Sequence, residues 1–147
     1  MNDPTLMPVL NRLNLITLDE HTRWFASLPA RDDLVCYAIE ITGPRRHVGN
    51  IWLNAIDHVH HRAEVRIMVA PGEHGRGLGP AAITRLAGQA FQELKLHRLF
   101  ACVLATNVRG RRAFEKAGFT LEAILREDRW TGTGFADVLL FARLAAR

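Results

Sequence analysis

The sequence has few of the features that mark disulfide-bonded or membrane-inserted proteins. Only two of its 147 residues are cysteines, Cys36 and Cys102, and they form no Cys-x-x-Cys pair. Both lie in apolar, strand-like surroundings, which favours buried reduced thiols over a disulfide. No apolar run approaches the roughly 20 residues that span a bilayer, and the N-terminus lacks the pattern of a signal peptide. We therefore expect a cytoplasmic protein with no membrane partner.

A strong excess of one charge is also absent. The net charge is +4, and the basic residues are dispersed apart from one cluster between Arg109 and Lys116. Nucleic-acid-binding surfaces usually combine a basic stripe with interleaved aromatic residues, so nucleic acid is not expected as a partner. The modest basic balance instead indicates an anionic ligand. A chain of this length can bury a core of its own, and we assign residues 1–147 to a single domain.

The order of predicted elements indicates an α/β (α+β) fold with a mixed, mostly antiparallel sheet flanked by helices. The first helix is expected over 19–28, with Asp19 as its N-cap and Pro29 as its stop. The strongest helix follows Pro80, placed at the first helical position, because its apolar residues form one stripe. The remaining predicted elements are strands over 34–42, 47–55, 62–69 and 99–104, a helix over 107–117 capped by Asn107, and strands over 119–126 and 135–143.

A glycine-rich segment over 74–79 joins the third predicted strand to the strongest helix. Glycines let the backbone turn tightly and direct several N–H groups to one point, and a helix N-terminus attracts anions. The segment is therefore either a phosphate-binding loop or a simple turn. It lacks the Lys and hydroxyl of a Walker loop. No carboxylate ends the next strand, at 104–107, which disfavours a nicotinamide dinucleotide.

Two motifs resemble those of the GNAT superfamily of N-acetyltransferases. Residues 74–79, His-Gly-Arg-Gly-Leu-Gly, are similar to its (Gln/Arg)-x-x-Gly-x-(Gly/Ala) motif, with His74 replacing Gln or Arg. Residues 107–119 are similar to its Asn-x-x-(Ser)-x-x-x-(Tyr/Phe)-Glu-Lys-x-Gly-Phe motif. The resemblance covers nearly the whole chain, and it is nearest to ribosomal-protein and N-terminal acetyltransferases and to the amino-sugar acetyltransferases of pseudaminic acid synthesis. It implies the GNAT fold, but the first strand of that fold is absent here, since residues 1–4 resemble the helix that follows it.

The resemblance implies acetyl-CoA as co-substrate and no metal. The pantetheine amides would pair with the main chain of residues 67–69, and a backbone N–H near Met68 or Val69 would hold the thioester oxygen. The glycine loop would hold the pyrophosphate, with Arg76 as the favoured side chain because it lies in the loop. The implied cofactor-binding residues are Ile67, Met68, Val69, His74, Gly75, Arg76, Gly77, Leu78, Gly79, Pro80, Asn107, Arg112 and Phe114.

Other roles remain open for several of these residues. Asn107 is a helix cap, a cofactor contact or both. The basic cluster of Arg109, Arg111, Arg112 and Lys116 either meets the 3′-phosphate of CoA or forms a solvated face. The three histidines at 58, 60 and 61 are interpreted as a polar turn, because they lack the ligand set and spacing of a zinc site.

Transfer of acetyl to an amine requires removal of a proton, since a free alkyl amine has a pKa of about 10. Glu64, on the strand before the loop, is the candidate base and would act through water. The alternative is a strand carboxylate paired with Arg62 or Arg66. A Tyr often protonates the thiolate in this family, but Phe114 occupies its position, so the general acid is not identified. Phe114 is expected to pack against the pantetheine arm or the core.

The predicted function is that of an acetyl-CoA-dependent N-acetyltransferase that acts by direct attack of a primary amine. The acceptor is left open among an amino-sugar nucleotide, a protein N-terminus and a small amine, and a homodimer is left open as well. Trp24 and Trp130 lie in elements that border the acceptor cleft in the family, although packing is the alternative role for both. The competing hypothesis is a non-catalytic acyl-CoA-binding module, motivated by Phe114 and the absent first strand.

Overall fold

A computed structural model describes Asn2, Met7 and residues 14–43 and 45–146. The interpretation of residues 1–4 as part of a helix therefore falls, except for Asn2, outside the described residues. The helices of this part of the chain are α1 (Leu18–Ser27), α2 (Leu78–Gln92) and α3 (Val108–Lys116). Its strands are β1 (Val35–Ile41), β2 (Arg46–Asp57), β3 (Arg62–Val69), β4 (Arg98–Leu104), β5 (Thr120–Trp130) and β6 (Phe135–Leu144). Among these residues, no helix is long and apolar enough to cross a membrane.

The described strands form one six-stranded sheet in the order β1-β2-β3-β4-β6-β5. Every neighbouring pair is antiparallel except β3 and β4, which are parallel. Parallel neighbours need a crossover connection, and α2 supplies it. The predicted fold, a mixed and mostly antiparallel sheet flanked by helices, is confirmed.

The core lies between the sheet and the helices α2 and α3. The apolar stripe of α2 faces the sheet, with Ile83, Leu86, Ala87 and Ala90 all buried. These side chains meet a cluster drawn from β2, β3, β4 and β6, in which Leu53, Leu99 and Phe141 are at most 1% exposed. Because the stripe is continuous, α2 is held firmly beneath the two central strands, and its first turn is fixed in position.

Two helix starts differ from the sequence predictions. The cap of α1 is Thr17 and not Asp19, because Thr17 and Glu20 form a reciprocal capping box in which each side chain bonds to the other residue's N–H. Helix α2 begins at Leu78, so Pro80 is its third residue instead of its first. A residue before proline normally avoids the helical conformation because its Cβ clashes with the proline ring. Gly79 has no Cβ, which permits the earlier start.

The two central strands separate partway along their length. β3 pairs with β4 only at Arg62↔Arg98, Ala63↔Leu99 and Glu64↔Phe100. Beyond that point β3 continues to pair with β2 as far as Val69, and β4 continues to pair with β6 as far as Leu104. In the described chain, residues 65–69 therefore have one edge without a strand partner. This edge ends at the glycine loop.

Candidate active site

The glycine loop leads into the first turn of α2, whose backbone N–H groups have no side-chain cap. Gly75 and Gly77 have φ angles of +79° and +76°, a conformation that side chains other than glycine rarely adopt. Gly77 is the N-cap residue of α2, and it makes no side-chain hydrogen bond to the first turn. Because the first N–H groups of a helix have no partner within the helix, those of α2 are left available to an anionic group.

Arg76 is committed to a carboxylate beside the loop. Glu73 is 6% exposed and is the buried acidic residue of the described chain. Its Oε1 lies 2.5 Å from Nη2 of Arg46, and its Oε2 pairs with the guanidinium of Arg76. The hydrogen bond from Arg46, reinforced by Arg76, lowers the pKa of Glu73 despite the opposing effect of burial. Arg76, the side chain favoured for the phosphate, is therefore already held in an ion pair, although the single carboxylate of Glu73 leaves one positive charge on the trio.

His74 connects the end of β3 to α3. Its Nε2 lies 2.9 Å from the carbonyl oxygen of Val69, and its Nδ1 contacts the guanidinium of Arg109. Arg109 is in the first turn of α3 and is separated from His74 by 35 positions in sequence. The fold thus places one member of the basic cluster, Arg109, directly at the glycine loop.

Asn107 caps α3, as predicted. Its Oδ1 accepts a hydrogen bond of 2.9 Å from the N–H of Gly110. Its amide packs so closely over Gly110 that a Cβ there would lie 2.7 Å from Nδ2. Arg112 is exposed on the same helix. Nε of Arg111 is buried without a hydrogen-bond partner in the described residues, so this residue turns away from the exposed face.

Phe114, at the position of the family's Tyr, packs in the core. It is 4% exposed. Its ring centroid lies 5.2 Å from that of Phe119 in an edge-on arrangement and 6.5 Å from that of Phe141 in a stacked one. Of the two packing roles expected for Phe114, the core is the one that the structure shows.

Glu64 lies where β3 and β4 begin to separate, and its side chain is 12% exposed. Nδ2 of Asn54, its cross-strand neighbour, donates to Oε2 at 3.2 Å. Nε of Arg66 donates to the same oxygen at 2.9 Å. Arg62 pairs instead with Asp57, at 3.5 Å. The carboxylate is therefore in an ion pair with Arg66, and these donors engage only Oε2 of its two oxygens.

A cavity of about 430 Å³ is lined by the two donors to this carboxylate, although Glu64 itself is not among its lining residues. Asn54 and Arg66, the two donors to Glu64, line it together with Trp24 on α1 and Trp52 on β2. Trp52 pairs with Arg66 in the sheet register. The sequence predictions did not include it in the site, since nothing local shows which face of β2 borders a cavity. Trp130 is not among the lining residues. It is 47% exposed and packs edge-on against Phe135.

Burial raises the pKa of the Cys102 thiol on β4, and the charge of Glu64 raises it further. The charges of Arg129 and Asp128 of β5 act on the same thiol in opposite directions. Cys102 therefore stays protonated at neutral pH.

Comparison with known proteins identifies the family of the chain. The family model of the acetyltransferase (GNAT) domain matches residues 1–120. Spermidine N(1)-acetyltransferase of Vibrio cholerae is 30% identical over 91 residues, which are 62% of this chain and 53% of that protein. The chain spans about half the length of the curated relatives that it matches, 53% and 48% for two of them.

Solved structures share the fold. The crystal structure of a spermidine N-acetyltransferase from Vibrio cholerae, in complex with CoA and spermine, has a TM-score of 0.91 and 23% identity, covering 97% of this chain and 84% of that chain. A dodecameric structure of a spermidine N-acetyltransferase from the same organism has a TM-score of 0.80 and 24% identity, covering 87% of this chain and 74% of that one. With the family model matching most of its length, the chain belongs to the GNAT acetyltransferase family, as its two motifs predicted.

Proposed function

We propose that the protein is an acetyl-CoA-dependent N-acetyltransferase in which Glu64 accepts a proton from a primary amine. The observation that carries this proposal is the separation of β3 and β4 directly after Glu64. It places a carboxylate at the start of an unpaired strand edge, and that edge leads to the glycine loop. A carboxylate, an extended binding edge and an anion-binding loop thus follow one another along a single path.

The residues along this path fit acetyl-CoA. An unpaired strand edge offers alternating N–H and C=O groups, with which an extended ligand can pair as an added strand. Residues 67–69 are suited in this way to the two amides of the pantetheine arm. The loop at Gly75 and Gly77 then meets the pyrophosphate, whose charge suits the free N–H groups and the positive end of α2.

The proposed reaction forms a bond between the amine nitrogen and the acetyl carbon and breaks the carbon–sulfur bond. The proton of the amine passes through a water molecule to Oε1 of Glu64, the oxygen that the donors Asn54 and Arg66 do not engage. The sulfur leaves as the thiolate of CoA and takes a proton from solvent. Solvent serves this purpose because Phe114 has no acidic proton and is buried beside Phe119 and Phe141.

The cavity beside Glu64 is proposed as the acceptor site. Its volume of about 430 Å³ lies within the roughly 300–1,000 Å³ that is typical of small-molecule sites. Trp24 and Trp52 provide apolar faces, while Asn54 and Arg66 provide polar groups. These groups suit the amine of an amino-sugar nucleotide, a peptide N-terminus or a small amine such as the spermidine named for the relative. Trp130 would contact only the part of an acceptor that extends toward β5.

Substitution of Glu64 by Gln tests the role of the carboxylate. Thiol release from acetyl-CoA is measured with polyamines, an amino-sugar nucleotide and a peptide as acceptors. We expect kcat at neutral pH to fall by roughly 10²- to 10⁴-fold, with binding of CoA retained. Glu40→Gln is the matched control, because Glu40 is also a strand carboxylate paired with an arginine, Arg45, at 3.2 Å.

The result that would overturn the assignment is turnover by Glu64→Gln at the native rate. If Glu64→Gln loses as much stability as Glu40→Gln but keeps the native rate, Glu64 serves only as the ion-pair partner of Arg66. Unfolding is therefore measured for both variants. Tight CoA binding by the native protein without turnover on any amine would support the alternative, a non-catalytic acyl-CoA-binding module.

We also infer that the chain associates with copies of itself. β5 is an edge strand, and Leu121, Ile124 and Leu125 on it are 37–56% exposed. An edge strand with exposed apolar side chains tends to pair with another chain, and the Vibrio cholerae structure with the same fold is dodecameric. Light scattering should show an oligomer that Ile124→Glu dissociates. A native monomer at all concentrations would contradict this inference.

A further inference from the structure

Three guanidinium groups contact the residues that begin the glycine loop. Arg46 and Arg76 both bind Glu73. Arg109 contacts His74, and no carboxylate in residues 14–43 and 45–146 forms an ion pair with it. The first turn of α3, in which Arg109 lies, contains no acidic residue. Of the three, Arg109 is therefore the one that no carboxylate of these residues holds in an ion pair.

The contacts of His74 assign hydrogen-bond roles to its two ring nitrogens. The carbonyl oxygen of Val69 can only accept a hydrogen bond, so Nε2 of His74, 2.9 Å away, is the donor. The guanidinium of Arg109 can only donate, so Nδ1, which it contacts, is the acceptor. The imidazole thus joins the end of β3 to α3 and directs Arg109 toward the loop.

We propose that Arg109 is the side chain that binds a phosphate group of acetyl-CoA, and that His74 is the positioning residue that holds it there. The proposal rests on the proposed function. Arg76 is the weaker candidate because moving it to a phosphate would remove one of the two partners of the buried Glu73. Arg109 can turn to a phosphate while giving up only its contact with the imidazole of His74. The phosphate belongs either to the pyrophosphate or to the 3′-phosphate.

The affinities of three ligands, measured by calorimetry, test the role of Arg109 without any measurement of activity. The ligands are CoA, 3′-dephospho-CoA and pantetheine. Arg109→Gln should weaken CoA binding by roughly 10- to 100-fold, the range for a hydrogen bond to a charged group, and leave pantetheine binding unchanged. If Arg109 binds the pyrophosphate, the substitution should weaken binding of dephospho-CoA to the same extent as binding of CoA. If Arg109 binds the 3′-phosphate, the affinity for dephospho-CoA should not change. Arg85→Gln, an exposed arginine of α2, controls for net charge.

Variants of His74 test the positioning role. His74→Gln can donate to Val69 and accept from Arg109 with its amide, so its CoA affinity should stay within about threefold of native. His74→Ala should weaken CoA binding nearly as much as Arg109→Gln. In a double variant, the two losses should not add, because both remove the same contact. Additive losses, or His74→Gln binding as weakly as His74→Ala, would show that His74 does not act through Arg109.

Three results would overturn the assignment of Arg109. They are unchanged CoA binding by Arg109→Gln, an equal loss for pantetheine, and a larger loss for Arg76→Gln than for Arg109→Gln. Failure of the proposed function has different signatures, since the native protein would then either bind none of the three ligands or bind CoA without turnover of any amine. Because Arg109 is exposed, its variant should remain folded, and thermal unfolding of the variant checks this.

Discussion

Gly49 is the residue of β2 that most tightly limits the position of the proposed pantetheine-binding edge. It pairs with Val69 in the sheet register. A Cβ at residue 49 would lie 2.3 Å from the carbonyl oxygen of Met68, 3.1 Å from Cα of Val69 and 3.2 Å from the carbonyl carbon of Met68. All three are backbone atoms, which cannot rotate away as the end of a side chain can. Gly49→Ala must therefore push β3 away from β2.

The size of the effect follows from this overlap. Real Cβ atoms essentially never approach another atom closer than 3.0 Å, so the strands must separate by at least 3.0 − 2.3 = 0.7 Å at this point. Overpacking costs about 1–3 kcal/mol, and a contact with rigid backbone belongs at the upper end. The lower entropy of the unfolded alanine chain offsets about 0.4–1 kcal/mol. We expect a net loss of about 2 kcal/mol, or a fall in Tm of roughly 4–8 °C.

Urea unfolding, followed by circular dichroism, measures this loss, and CoA binding is measured on the same samples. Gly88→Ala is the matched control. Gly88 lies inside α2, and a Cβ there meets nothing within 4 Å, so this variant should be about 0.5–1 kcal/mol more stable than native. CoA affinity should fall only in Gly49→Ala, because Met68 and Val69 must move. A Gly49→Ala protein as stable as native, or one no less stable than Gly88→Ala, would refute the reasoning.

Two further predictions concern the loop and the helix after it. Asn107→Ala should lower the unfolding free energy by about 1 kcal/mol because Gly110 loses its cap, whereas Asn107→Asp keeps the acceptor and should lose less; equal losses would contradict the capping role. Because two guanidinium groups lower the pKa of Glu73 below its ordinary value of 4.5, the ionised side chain stabilises the fold above that pH, and the stabilisation disappears as the pH falls through the lowered value. The stability difference between native protein and Glu73→Gln should therefore shrink on acidification in a pH series of urea titrations, and growth of that difference would contradict the sign.

Local sequence was sufficient to predict the order of the elements and the position of the glycine loop. The stripe of α2 was visible because helical burial repeats every three to four residues, and its members Ile83, Leu86 and Ala90 are buried as expected. The end of α3 was visible from a glycine, because Gly118 follows the helix and adopts a φ angle of +80°, a conformation that glycine favours. The glycine loop and the Asn107 cap likewise depend on residues within a few positions of each other.

Only the tertiary structure decided which side chains are available at the site. Arg76 lies in the loop, yet its guanidinium is held by the buried carboxylate of Glu73, which the distant Arg46 also binds. Arg109 reaches the loop from 35 positions away because α3 packs beside α2. The separation of β3 from β4 depends on the register between strands, to which no local pattern is sensitive. Local periodicity and capping act over a few residues, whereas ion pairing and strand register join residues far apart in the chain.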